Sequence, residues 1–175
     1  MSNYKVVVTG PFNSGKTAFI QTISEIEVVS TERRITTEDR GIKAETTVAM
    51  DYGRVTLGDD TLYLHGTPGQ TRFDFMWEIL SNEMNAFIVL VDSTDRPSFP
   101  DASNIIDQFK GYVNVPYILV ANKSDLEDAA DPDEVREGAK VGADITVMAC
   151  VATEKDSVRE VLVQLVEVLK KASKQ

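Results

Sequence analysis

The stretch Gly10-Pro11-Phe12-Asn13-Ser14-Gly15-Lys16-Thr17 constrains this chain more than any other. It follows the apolar run Val6-Val7-Val8 and precedes Ala18-Phe19-Ile20-Gln21-Thr22-Ile23, whose spacing is helical. A strand, a glycine-bounded loop, a lysine, a hydroxyl residue and a helix, in that order, build a trap for phosphate. The glycines let the backbone curl until successive N–H groups point inward at anionic oxygens. The helix adds the positive end of its dipole, Lys16 reaches terminal phosphates, and the Thr17 hydroxyl suits magnesium. Asn13, Ser14, Gly15 and Ala18 complete the cradle. With Gly near 7% of residues, a chance match to G-x-x-x-x-G-K-[ST] is expected in well under ~2% of chains this size. The pattern implies a nucleoside triphosphate as ligand.

The remaining bulk properties narrow the setting. At 175 residues the chain is long enough for one domain with a sizeable core and too short for two ordinary ones, so 1–175 is expected to be a single unit. A net charge of −10 argues against nucleic acid or an anionic membrane as the main partner. The single cysteine, Cys150, fits a reducing compartment and closes an apolar run, as a small buried thiol would. No signal peptide or membrane-length apolar run is visible, Ser2 cannot be myristoylated, and Lys170 to Gln175 contains no prenylatable cysteine. A cytoplasmic protein with no direct lipid anchor is expected.

Apolar, β-branched runs cover Tyr4 to Thr9, Thr47 to Leu57, Thr61 to Leu64, Ala86 to Val91, Tyr117 to Ala121 and Ile145 to Cys150. Helical spacing marks Ala18 to Ile23, Phe73 to Met84, Ser98 to Tyr112 with Ser98 as N-cap, Asp133 to Val141, and Ser157 to Leu169. Several strands are apolar on both faces, which implies helices on both sides of a parallel sheet. Gly58-Asp59-Asp60 reads as a tight hairpin, so one edge strand should run antiparallel. The expectation is an α/β fold with a six-stranded, mostly parallel sheet and its ligand at the carboxyl ends of the strands. Glu25 to Thr46 reads as a long polar loop, of the length that is functional or mobile in a compact domain.

Asn122-Lys123-Ser124-Asp125, placed after Ile118-Leu119-Val120-Ala121, discriminates the base. A carboxylate at Asp125 can accept hydrogen bonds from N1–H and the exocyclic amine of guanine. Adenine offers no donor there and would leave the carboxylate unpaired. Asn122 can tie this loop to the phosphate loop, and the Lys123 stem can lie over the base.

With these two motifs the chain resembles the Ras-like small GTPase superfamily over nearly its whole length. Val91-Asp92-Ser93-Thr94-Asp95-Arg96 and Met76-Trp77 look closest to its Arf-like and signal-recognition-particle-receptor-β side, and Gly66-Thr67-Pro68-Gly69-Gln70 is similar to a prokaryotic, MglA-like branch. The resemblance implies a small G domain that binds GTP and GDP with Mg2+. Gly69 would meet the γ-phosphate through its N–H, Gln70 would orient the attacking water, and Lys16 would neutralise developing charge. Thr17 and Thr47 would hold the metal, with Thr46 a competing choice for the latter. Switch loops around 26–53 and 66–77 would engage protein regulators and effectors, among them roadblock-type proteins. Arg33, Arg34, Arg40 and Arg72 are candidates for charge or effector contacts.

The departures from the family pattern carry information. Gly66 stands where the family has an acid that helps hold magnesium, so weaker metal binding or a substitute such as Asp92 is expected, with His65 either a nearby donor or simply packed. Phe12 stands where many relatives need glycine, which implies slow hydrolysis. Of the family's Ser-Ala-Lys base loop, Val151-Ala152-Thr153 matches only Ala152, whose N–H would meet the guanine oxygen while Thr153 flanks it. A GTP-loaded scaffold that barely hydrolyses is the alternative reading. A P-loop nucleoside kinase needs a lid and an acceptor pocket that the sequence lacks.

Overall fold

The computed structural model describes residues 2–39, 42–67 and 83–173, with residues 29–39 and 42–50 described by their backbone. The predicted helix Phe73 to Met84 lies outside the described residues over all but its last two positions, as do Gly69, Gln70 and Arg72.

Seven strands form one sheet: β1 (Ser2–Thr9), β2 (Val29–Asp39), β3 (Ile42–Leu57), β4 (Asp60–Gly66), β5 (Ala86–Asp92), β6 (Tyr117–Asn122) and β7 (Val147–Ala149). They lie in the order β2-β3-β4-β1-β5-β6-β7. The parallel pairings β1–β4, β1–β5, β5–β6 and β6–β7 make the body of the sheet. β3 runs against both neighbours, so it alone opposes the other six. The α/β class and the single reversed strand stand as expected. What differs is the seventh strand, β2, which occupies part of the segment read as a polar loop and moves the reversed strand one place in from the edge.

Each central strand alternates its side chains between two cores, as the two-residue period requires. Val6, Val8, Ile88, Leu90, Ile118 and Val120 face α1 (Lys16–Ile23) and α4 (Lys155–Ser173). Val7, Phe87, Val89, Leu119 and Ala121 face α2 (Phe99–Tyr112) and α3 (Pro132–Gly138). The stripe Val158, Val161, Leu162, Leu165, Val166 and Leu169 is the buried face of α4, and at ~2 kcal/mol for each side chain it suffices to fix that helix on the sheet.

Local chemistry sets the helix starts. Asp131 caps α3 by accepting the Glu134 N–H at 2.8 Å, with Pro132 at the first helical position. Ser98 does not cap α2; its hydroxyl donates back to the Asp95 carbonyl at 2.6 Å, closing a 3₁₀ turn over Arg96–Ser98. Cys150 is buried, and burial pushes its thiol pKa up against the opposing hydrogen bond of Ser157.

Candidate functional site

Four loops meet at the carboxyl ends of β1, β5, β6 and β7. The loop after β1 owes its curl to two glycines. Gly10 has φ +149°, and a Cβ there would lie 2.2 Å from the Leu90 carbonyl oxygen. Gly15 has φ +103°, and a Cβ there would lie 2.2 Å from Asn122 Nδ2. Asn13 also takes a positive φ of 66°. Gly15 opens α1 without a side-chain cap, and no acid lies in the first turn, so the leading N–H groups of Lys16, Thr17 and Ala18 face outward as an anion site.

Lys16 is 9% exposed and closes the loop on itself. Its Nζ donates to the Gly10 carbonyl at 2.9 Å, the Pro11 carbonyl at 3.1 Å and Ser14 Oγ at 3.4 Å. Burial lowers its pKa from 10.5 to about 8, against the opposing attraction of Asp51. An ammonium placed there gains from an anionic oxygen that replaces lost hydration.

Asn122 joins three loops. It is 1% exposed; its amide donates to the Ser14 carbonyl at 2.8 Å, and its Oδ1 accepts the Ala152 N–H at 2.9 Å. The close approach to Gly15 explains why no side chain fits there. The Ala152 N–H, expected to meet a base oxygen, donates to Asn122 in this arrangement. Lys123 has φ +61° and stretches its ammonium to the Asn13 carbonyl at 3.1 Å and Asp92 Oδ2 at 2.9 Å. Asp125 and Thr153 are exposed beside this cluster, on the turns after β6 and β7.

Asp92, the expected substitute near the metal, is held on both carboxylate oxygens by its neighbours. Its Oδ1 accepts the Thr94 N–H and hydroxyl at 2.9 and 2.6 Å, and its Oδ2 accepts Lys123. Burial works to raise its pKa, but these bonds outweigh it and hold the carboxyl below its ordinary value. The acid that approaches Thr17 is Asp51 on β3, which no sequence motif marks: Thr17 Oγ1 donates to Asp51 Oδ2 at 2.6 Å. A hydroxyl and a carboxylate beside a phosphate trap are hard oxygen donors and fit magnesium. Among the described residues, no group of three or more His, Cys, Asp or Glu is placed to hold a metal ion.

Thr47 pairs with Arg34 in the β2–β3 ladder. It lies four strand positions from Asp51, about 13 Å along the backbone, so this arrangement does not bring it to Thr17. Residues 29–39 and 42–53, read as part of a first-switch loop, are a β-hairpin here. His65 packs against its cross-strand partner Tyr52, ring centroids 5.1 Å apart. At the start of the second predicted switch, Thr67 ties back to β1, its N–H donating to the Val8 carbonyl at 3.0 Å. Phe12 is 63% exposed on the phosphate loop. A cavity of about 580 Å³, lined in part by Lys110, Tyr117 and Asp144, lies at the opposite, amino end of β6 and β7, away from these loops.

The chain is similar to known proteins in sequence and in fold. The sequence profile of the Ras family matches residues 5–171. An uncharacterised protein of Methanocaldococcus jannaschii, MJ1339, is 35% identical over 132 residues, 75% of this chain and 76% of that one. Human ADP-ribosylation factor-related protein 1 is 25% identical over 169 residues, 90% of this chain and 80% of its own. The Arl6 BBS3 small GTPase of Trypanosoma brucei, solved with the nucleotide analogue GppNp, superposes with a TM-score of 0.70 at 21% identity, covering 97% of this chain and 98% of the other. At that identity the likeness is one of fold.

Proposed function

This chain belongs to the Ras family, and from that premise we propose that it is a guanine-nucleotide switch that binds GTP and GDP with magnesium and hydrolyses GTP slowly. The observation that carries the reading is the Asn122 bridge, which locks the phosphate loop, the Asn122–Asp125 turn and the Ala152 turn into one site. Phosphates would sit on the N–H groups opening α1, with Lys16 against them. Guanine would be read by the Asp125 carboxylate, with the Lys123 stem beneath the base.

Thr17 would hold magnesium, which when bound would neutralise charge on the β- and γ-phosphates. Gln70 and Gly69 would orient the attacking water and meet the γ-phosphate. Hydrolysis is then positioning and charge stabilisation rather than covalent chemistry. Phe12, exposed on the loop, would crowd that water and slow the step. Thr47 joins the metal only if the β2–β3 hairpin leaves its present register, which is where the two states of the switch would differ. Regulators and effectors, roadblock-type proteins among them, would read that difference.

The test is the identity of the nucleotide that co-purifies with the protein, followed by its hydrolysis rate. Guanine nucleotide is expected, and adenine nucleotide would overturn the proposal. Asp125→Asn should weaken GDP binding and strengthen binding of xanthosine diphosphate, which presents an acceptor where guanine presents an amine. Unchanged GDP affinity in that variant would remove the base-recognition argument.

A further inference from the structure

We propose that Asp51 is the acidic residue of this chain's magnesium site, supplied from β3 across the strand pair because Gly66 on β4 carries no side chain. The inference rests on the nucleotide reading above and concerns one residue that reading leaves unexplained. Three observations converge on it. The Asp51 carboxylate accepts the Thr17 hydroxyl, Oγ1 to Oδ2 2.6 Å, which leaves the lone pairs of Thr17 Oγ1 free for a cation. The same carboxylate acts electrostatically on Lys16, so it lies within the field of the phosphate trap. And the space it fills is the space a residue at 66 would use. A Cβ built on Gly66 would lie 3.3 Å from the Asp51 Cβ and 3.1 Å from Ile20 Cδ1, on the α1 face of the sheet.

The register explains why an exchange between these positions works. Tyr52 pairs with His65, so Asp51 and Gly66 are the next residues along the antiparallel β3–β4 ladder. Their side-chain positions lie on the same face of the sheet, as directly opposed residues do. A carboxylate can therefore enter the corner beside Thr17 from either strand, but two residues with side chains would crowd it. Gly66 is the complement of Asp51, and together they keep one negative charge at the point where a divalent cation would meet phosphate. Asp51 acts chiefly by orienting Thr17 and adding charge, and is a positioning residue in that sense.

The experiment follows release of a fluorescent methylanthraniloyl-GDP from the loaded protein, chased with excess GDP, across buffered free magnesium from micromolar to millimolar. Wild-type release should slow as magnesium rises. Asp51→Asn keeps an oxygen acceptor for Thr17 and removes only the charge. It should raise the magnesium concentration for half-maximal slowing by about 10–100-fold, with each protein's release rate in magnesium taken relative to its own rate in EDTA. The exchanged double variant D51G/G66D should bring that midpoint back toward wild type, a rescue that a purely structural role for Asp51 would not produce.

A midpoint in D51N equal to wild type overturns the inference, as does wild-type release that is tight but indifferent to magnesium. Failure of the wild-type chain to bind labelled GDP in any buffer overturns the nucleotide reading itself. Where D51N melts well below wild type, D51S provides the same comparison with a short acceptor for Thr17.

Discussion

Lys16 should leave a measurable mark on stability before any ligand binds. In the unfolded chain its ammonium titrates at the ordinary 10.5, and in the folded chain burial brings it to about 8. Between those values the unfolded state holds a proton that the folded state has released. Stability of the nucleotide-free protein must therefore rise with pH across that window. Below pH 8 both states are protonated and the full cost of the buried charge is present; above 10.5 it is gone. At about 1.4 kcal/mol per pH unit, the gap is worth about 3 kcal/mol.

Urea unfolding of nucleotide-free wild type and Lys16→Met, at several pH values from neutral to above 10, isolates this contribution, since every other group titrates alike in both. Wild-type stability minus that of the variant should climb by about 3 kcal/mol across the window. A difference that stays flat would mean that the Gly10 and Pro11 carbonyls and Asp51 fully compensate the ammonium, and would refute the argument that the loop holds a poorly solvated charge awaiting phosphate. The same logic predicts that GDP binding takes up a proton above pH 8, because phosphate restores the ammonium.

Two further outcomes follow from the same loops. Asn122→Ala strands the buried Ser14 carbonyl and Ala152 N–H and should lower unfolding stability by roughly 2–4 kcal/mol, read as a reduced urea midpoint; a wild-type midpoint would show that the loops hold together without the bridge. Phe12→Gly should speed single-turnover GTP hydrolysis, and an equal or slower rate would acquit the ring of obstructing the site.

The parts of the fold legible in the sequence are those whose signals are local. The phosphate loop is a contiguous pattern, and Gly58 before Asp59-Asp60 marks a turn wherever it falls. Val158 to Leu169 repeats at helical spacing regardless of what it packs against, and Val158, Val161, Leu162, Leu165, Val166 and Leu169, the stripe that spacing picks out, are all buried. Strand β2 was illegible for the opposite reason. An edge strand has no need of an apolar run and tolerates charge, and β2 carries Glu32-Arg33-Arg34 and Glu38-Asp39 in its sequence. Val29, Thr31, Ile35, Thr36 and Thr37 are the usable signal, β-branched residues in an otherwise polar segment. Polarity there argues for a loop, while β-propensity favours a strand.

The acid beside Thr17 exposes a deeper limit of motif reading. A motif assigns chemistry to a place in the chain, but a metal site needs charge at a place in space, and in an antiparallel ladder one point is reachable from two strands. Gly66 leaves the motif position empty, so counting along the chain leads to the nearest acid at a strand end, Asp92. That carboxylate is already held by Thr94 and Lys123 and supports the base-side turn instead. Asp51 lies 34 residues from Thr17 in sequence, and only the β3–β4 register brings it beside the corner that Gly66 vacates. The absence of a side chain at one position and the presence of a carboxylate at its cross-strand neighbour are a single feature, and either alone reads as a defect or an accident.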